Sequence, residues 1–182
     1  LIFEGEYING ERNGKGKEYK YDKLEFEGEF LNGKKNGKGK EYYHNGKLKF
    51  EGEYLNDRRW NGSGYDKNGK IELEIKAGKG KGREYNHYGN SNQIEFEGEY
   101  LNGERNGRGK EYEYDNIKFE GEYLNGKRNG KGKEYYRNCE LRFEGEYLKG
   151  KRNGKGKEYY YNGKLEFEGE YPSLRWNFFP GQ

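Results

Sequence analysis

The chain has 182 residues, 36 basic against 33 acidic, for a formal net charge of +3. That near-balance argues against a dedicated nucleic-acid binder, which carries a strong basic excess. With 29% of residues apolar and 38% charged, an ordinary globular core is excluded, and only 20 Tyr, 10 Phe and 2 Trp at fixed phase can supply a substitute.

The phase is set by one pentapeptide. Phe-Glu-Gly-Glu-Tyr/Phe starts at Phe3, Phe26, Phe50, Phe96, Phe119, Phe143 and Phe167, at intervals of 23 or 24 residues except for 46 between Phe50 and Phe96. The long interval is two periods with a degenerate copy inside. A fixed period of this length marks a repeat array. A chain that spends nearly every residue on one structural unit has few left for an active site.

Within the second copy, Leu24 to Phe30 alternates with period two, the mark of a half-buried strand. Asn32 to Gly37 holds two Asn-Gly pairs and turns the chain back; Lys38 to Tyr43 is the return strand; Asn45-Gly46 turns into the next copy. A register in which Leu31 faces Lys38 across a six-residue loop would set Phe30 against Gly39 and Phe26 against Tyr43. One face would then be aromatic and glycine, with the rings lying over cross-strand glycines. The other would be a lattice of Glu27, Glu29, Lys40 and Tyr42. The same register sets Gly39 opposite Gly52, so that a glycine column runs between copies. Seven hairpins and a last strand at Phe167 to Tyr171 predict about 15 antiparallel strands in one layer, a ribbon about 70 Å long that curls with its rings inward. The expected class is all-β, with the array over residues 1–171 and a capping or docking tail over 172–182.

Two copies break the pattern. Asn56 to Gly62 lengthens a loop and introduces Trp60; the fourth copy, Ile71 to Tyr85, has Ile-Glu-Leu-Glu-Ile in place of the pentapeptide, and a long turn follows from Asn86 to Gln93. Drift is favoured over a local site. In the tail, Trp176, Phe178 and Phe179 are expected to cap the last strand or to serve self-association. The chain opens mid-repeat and contains no Met, so it reads as a piece of a longer protein. No signal peptide is visible, and no apolar run approaches the length of a membrane-spanning helix.

Phe-Glu-Gly-Glu-Tyr-Leu-Asn-Gly-Lys-Arg-Asn-Gly-Lys-Gly-Lys-Glu-Tyr, at Phe119 to Tyr135 and nearly so at Phe143 to Tyr159, resembles the MORN repeat. Asn36, Asn129 and Asn153 stand where the common pattern has His, and Lys40 to Leu48 is similar to the variant of bacterial repeat proteins. The resemblance implies an elongated hairpin array acting as a scaffold or docking module. It further implies self-association and association with membranes, cytoskeleton or a partner helix, in some members beside an enzymatic domain.

No residue set points to catalysis. His44 and His87 have no convergent partners in the sequence, and Gly78 to Gly82 lacks the Lys-Ser/Thr ending of a phosphate loop. No cofactor or metal is expected. Glu18, Glu41, Glu111, Glu134 and Glu158 fall on the aromatic face, where a carboxylate repeated five times is expected to serve structure. Two surfaces are candidates. Lys34-Lys35, Arg58-Arg59, Lys127-Arg128 and Lys151-Arg152, with Arg12 and Arg105, would line one edge and could touch anionic lipid headgroups. An aromatic–glycine groove could hold a protein partner through Tyr43, Tyr136, Tyr160 and Trp60, with Phe26 and Phe30 in the core. The leading expectation is a non-catalytic scaffold that binds a protein partner or a second copy of itself, in the cytoplasm or peripheral to a membrane or cytoskeleton. Lipid binding, or targeting of a larger enzyme, is the alternative.

Overall fold

A computed structural model describes residues 2–88 and 91–172. Tail residues Trp176, Phe178 and Phe179 lie outside that range. The described residues form one antiparallel sheet of fifteen strands, each hydrogen-bonded to its neighbours in chain order. The first half runs β1 (Phe3–Ile8), β2 (Glu11–Lys20), β3 (Lys23–Leu31), β4 (Lys34–Tyr42), β5 (Leu48–Leu55), β6 (Arg58–Tyr65), β7 (Ile71–Lys76) and β8 (Lys79–Tyr85). The second runs β9 (Ile94–Leu101), β10 (Glu104–Glu113), β11 (Asn116–Leu124), β12 (Lys127–Tyr135), β13 (Leu141–Leu148), β14 (Lys151–Tyr159) and β15 (Leu165–Tyr171). Odd strands carry the pentapeptide or its variant; even strands carry the Gly-rich return.

The register corrects the six-residue loop. Leu31 pairs with Lys34 and Phe30 with Lys35, so Asn32-Gly33 alone is the turn. Both residues take positive φ, 50° and 78°, which fits a type I′ hairpin and explains the Asn-Gly pair. The second Asn-Gly is a bulge: pairing resumes only at Gly28 with Gly39, and Gly37 has φ 103°. Glu29 closes the bulge by accepting the Lys38 amide at 3.2 Å. The glycine column is continuous on each side of the irregular copy, from Gly5 through Gly16, Gly28, Gly39 and Gly52 to Gly62, and from Gly82 through Gly98 and Gly109 to Gly169.

A single layer has no opposing layer to bury its core, so the side chains make one. Phe26, Phe50, Phe96, Phe119 and Phe143 are fully buried, Phe50 beside Gly62 and each of the others beside a pair of glycines, whose missing Cβ atoms leave room for the ring. Edge-to-face contacts link successive rings, as in Phe119–Tyr147 at 5.2 Å and Phe143–Tyr147 at 5.5 Å, each worth about 0.5–1.5 kcal/mol beyond area burial. In the irregular copy Leu73 and Ile75 replace the rings and stay buried.

Four edge turns share one geometry. Gly46, Gly69, Cys139 and Gly163 each donate an amide to the carbonyl three residues back, with φ of 81°, 85°, 67° and 77°. Cys139 therefore holds a left-handed position that glycine fills in the other three. Cys139→Gly is expected to raise stability by about 0.5–1 kcal/mol, the relief of a left-handed side chain less glycine's added chain entropy. A rise in the urea midpoint with unchanged slope would show it; a fall would mean that the side chain contributes more than its strain.

Candidate interaction surfaces

Each even strand except β8, where Gly80 stands in its place, sends one cation to the ring face, and each except β6, where Gly64 does, sends one carboxylate. The cations are the second residues of the basic pairs, because Lys35 pairs with Phe30, Arg59 with Tyr54, Arg128 with Tyr123 and Arg152 with Tyr147. Each sits over a phenylalanine: Arg12 over Phe3 at 4.4 Å, Lys35 over Phe26 at 4.1 Å, Arg59 over Phe50 at 4.6 Å, and Arg105, Arg128 and Arg152 over Phe96, Phe119 and Phe143 at 4.1 Å. Arg128 bridges Glu111 at 2.6 Å and Glu134 at 3.3 Å; Arg152 bridges Glu134 at 2.6 Å and Glu158 at 2.9 Å. The odd-strand tyrosines complete the ladder: Tyr54, Tyr123 and Tyr147 donate to Glu41, Glu111 and Glu134 at 2.9, 2.7 and 2.9 Å.

This ladder corrects the basic ridge. Lys35, Arg59, Arg128 and Arg152, with Arg12 and Arg105, are turned from the edge and pair with glutamates. Lys34, Arg58, Lys127 and Lys151 remain exposed at the tips, with Arg58 held by Glu104 at 2.9 Å. The repeating glutamates have the structural role expected of them. Burial pushes the Glu41 carboxyl up, but Arg59 outweighs it and brings the group down to about 2. Glu84 joins the ladder through Arg59 and Arg105; only the alignment of the fourth copy with its neighbours could have signalled it.

The aromatic–glycine groove is also corrected. Its rings fill it, and Tyr43 is buried, donating its hydroxyl to the Tyr65 carbonyl at 2.6 Å. Tyr136 is half-buried and bonds the Tyr159 carbonyl at 2.9 Å; Tyr160 is half exposed. These tyrosines stand at the edge turns because the return strand ends one residue before each of them. Trp60 is half-buried, packed against the tip at Gly78. The four do not converge.

The open groove lies on the other face. Glycines form its floor, and residues one before and one after each glycine form its walls. Around β10–β15 the groove measures about 950 Å³, walled by Arg108, Lys131, Lys155, Glu120, Glu144 and their neighbours. Around β1–β5 it measures about 840 Å³. The inner wall is internally paired: Lys133 lies 3.7 Å from Glu144, Lys157 lies 3.2 Å from Glu168, and Tyr135 donates to Glu120 at 2.6 Å. In the outer wall, Lys131 and Lys155 are exposed, with no carboxylate within ion-pair distance among the described residues.

The turn after the irregular copy is anchored. Buried Lys67 donates to the carbonyls of Tyr88 at 3.1 Å and Ser91 at 2.8 Å, and Asn92 links the Lys67 amide to Asp66. The His44 amide meets the His87 carbonyl at 3.3 Å, and His87 Nε2 lies 3.0 Å from Glu25 without hydrogen-bond alignment. Burial and the charge of Lys49 push the His87 imidazole below its ordinary value. Both histidines are therefore half-buried parts of this edge rather than free surface groups. Among the described residues no three His, Cys, Asp or Glu side chains are grouped to hold a metal.

The family model described as MORN repeat matches residues 3–24, 26–47, 96–113, 119–138 and 143–164. The unmatched interval includes the β7–β8 hairpin, where the bulge and the pentapeptide are lost. No curated protein matches the chain.

Proposed function

The chain belongs to the MORN repeat family, and we propose that it presents its glycine-floored groove to a segment of a protein partner. At the coarser level it is a non-catalytic, repeat-built interaction module. The observation that carries the finer reading is the groove itself: two long stretches on an unpartnered sheet face, while the ring face is filled by its own side chains. A long concave sheet face of this size can take an extended segment of a partner, its charged walls reading alternate side chains. Lysine and glutamate stems supply apolar wall area while their heads stay in water, and the unpaired outer-wall cations would set the register of an acidic residue on the partner. A cytoplasmic location, peripheral to membrane or cytoskeleton, goes with this reading. Lipid binding is second, because of the eight residues in the basic pairs the ladder leaves only Lys34, Lys127 and Lys151 at the tips without an ion-pair partner among the described residues.

A photo-crosslinking amino acid at Lys133, in the groove wall, is expected to capture a defined protein at physiological and at high salt. At Lys164, on the turn edge, it is expected to capture none. Capture of a second copy of the chain would make the partner self. Capture at Lys164 alone, or capture at Lys133 that vanishes in high salt as a screened surface contact would, would remove the groove from the reading.

A further inference from the structure

The dimensions of the groove select the conformation of a segment that enters it. The walls stand on the residues either side of each glycine, so their Cα atoms are about 6.8 Å apart, two residues of antiparallel strand. An α-helix, about 10–12 Å across with its side chains, is too wide to reach the floor. The groove crosses the strands, so equivalent wall residues recur on every second strand, about 9.6 Å apart. A β-strand segment advances about 10 Å in three residues, but its side chains alternate, and every third one points to the opposite side. A polyproline II segment turns once in three residues and rises about 9.3 Å in doing so. Every third side chain then meets the same wall, with a lag of only about 0.3 Å per repeat.

The two walls offer different chemistry at that pitch. In the outer wall Lys15, Lys38, Arg108, Lys131 and Lys155 are exposed, and their charged ends make no hydrogen bond or ion pair among the described residues. The outer glutamates are engaged by the bulges: Glu6 and Glu29 accept the Lys15 and Lys38 amides at 3.3 and 3.2 Å, and Glu53 accepts the Asn61 side chain at 2.6 Å. Glu122 and Glu146 fill the space that a Cβ on Gly130 or Gly154 would take. The outer wall is neutral overall, so its cations set register through unsatisfied donors rather than by long-range attraction. Behind the inner wall runs a row of half-buried tyrosines, Tyr19, Tyr42, Tyr112, Tyr135 and Tyr159, one per regular copy. Each donates its hydroxyl to an inner-wall glutamate of the preceding strand, as Tyr159 does to Glu144 at 2.8 Å. Aromatic-lined grooves with one ring per turn are the surfaces on which polyproline II segments dock.

Resting on the assignment of the groove as the docking surface, we propose that it takes a polyproline II segment of the partner with a carboxylate at every third residue. The carboxylates meet the outer-wall cations, and prolines between them turn toward the tyrosine side. One turn of the segment serves one repeat. Arg108, Lys131 and Lys155 stand on β10, β12 and β14, four strand spacings or about 19 Å from first to last. Seven residues of polyproline II cover about 18.6 Å, which brings the first, fourth and seventh against the three cations.

The test is an NMR titration of the chain with blocked peptides made of Glu-Pro-Pro, Glu-Pro-Pro-Pro or Lys-Pro-Pro, each unit repeated in triplicate. Saturable shifts are expected at residues 108, 131 and 155 with Glu-Pro-Pro. The Glu-Pro-Pro-Pro peptide has the same charge at the wrong pitch and should bind several-fold more weakly, as should Lys-Pro-Pro. Lys131→Gln is expected to weaken Glu-Pro-Pro binding about threefold, the worth of one exposed ion pair. Its thermal midpoint should stay where it was, because the Lys131 ammonium has no partner in the free chain. Equal binding of the two glutamate peptides, tighter binding of Lys-Pro-Pro, no saturation, or unchanged affinity in Lys131→Gln overturns the assignment. If the crosslinker at Lys133 captures a protein while Glu-Pro-Pro fails to bind, the groove stands as the docking surface and the polyproline II segment alone falls.

Discussion

Gly132→Ala is expected to destabilise the array by about 2–3 kcal/mol, the upper range for overpacking a well-filled core. An added Cβ would lie 2.5 Å from Phe119 Cζ, 2.6 Å from Cε2 and 3.2 Å from Tyr147 Cε2. The Phe119 ring is fully buried, with Arg128 4.1 Å from its centroid and Tyr123 and Tyr147 against it at 5.7 and 5.2 Å. The ring has no empty space to enter. Gly126→Ala is the control: it sits at φ 76° with nothing within 4 Å of the added Cβ, so only backbone strain of about 1 kcal/mol applies. Phe119→Leu combined with Gly132→Ala should recover part of the loss, since the smaller side chain makes room. Because each repeat contacts only its neighbours, amide exchange should quicken first in β11 to β13. Equal shifts in the urea midpoint for the two alanine variants would mean that ring-over-glycine packing is not what holds the layer. The new methyl points to the ring side, so the variant tests the fold without filling the groove opposite.

The sequence was most informative where one residue type has one physical use. Pentapeptide spacing gave the fifteen strands, and alternation placed Glu27, Lys40 and Tyr42 together: Glu27 pairs with Lys40 and accepts the Tyr42 hydroxyl. It was ambiguous where one signal has two uses. Asn32-Gly33 and Asn36-Gly37 look alike, yet the first is a turn and the second a bulge. That choice moves Lys35 from the edge to the ring face, so the register error and the basic-ridge error are the same error. Tyr43 followed from it as well, because a residue expected opposite Phe26 instead lies just past the end of β4 and packs into the turn edge. Of the Asn residues that stand where the family has His, Asn129 has a role visible only in three dimensions: it accepts the Lys149 amide at 3.4 Å, tying its tip to the next. The missing cation at Gly80 depends on cross-strand pairing, which sequence spacing does not supply.

Arg59→Met should reverse the sign of the pH response around its ladder position. In the native chain the Glu41 carboxyl is held at about 2 against an ordinary 4.5. A carboxyl whose folded pKa is depressed contributes stability above its unfolded pKa and loses it as pH falls through the folded value. Glu84, Glu111 and Glu134 shift the same way, burial opposing and their arginines prevailing. The native array should therefore lose stability progressively from about pH 4.5 down to about 2. Glu41 alone accounts for about 2 kcal/mol, after allowance for the fifth of its side chain that water still reaches. Methionine keeps much of the stem packing over Phe50 and removes the charge. Burial of Glu41 then has no guanidinium to oppose it, and its carboxyl rises above the unfolded value. At neutral pH the variant should lose about 3 kcal/mol, as for an ion stranded in a mostly buried site. Mild acidification toward pH 5 should return part of that loss, while the native chain gains nothing over the same interval. Urea midpoints of both chains at a series of pH values would show the two trends. Adding Glu41→Gln to Arg59→Met should abolish the variant's gain on acidification, because no stranded carboxyl is left to protonate. A variant that instead tracks the native pH profile at a lower stability would mean that Arg59 acts by packing on Phe50, with its charge contributing little.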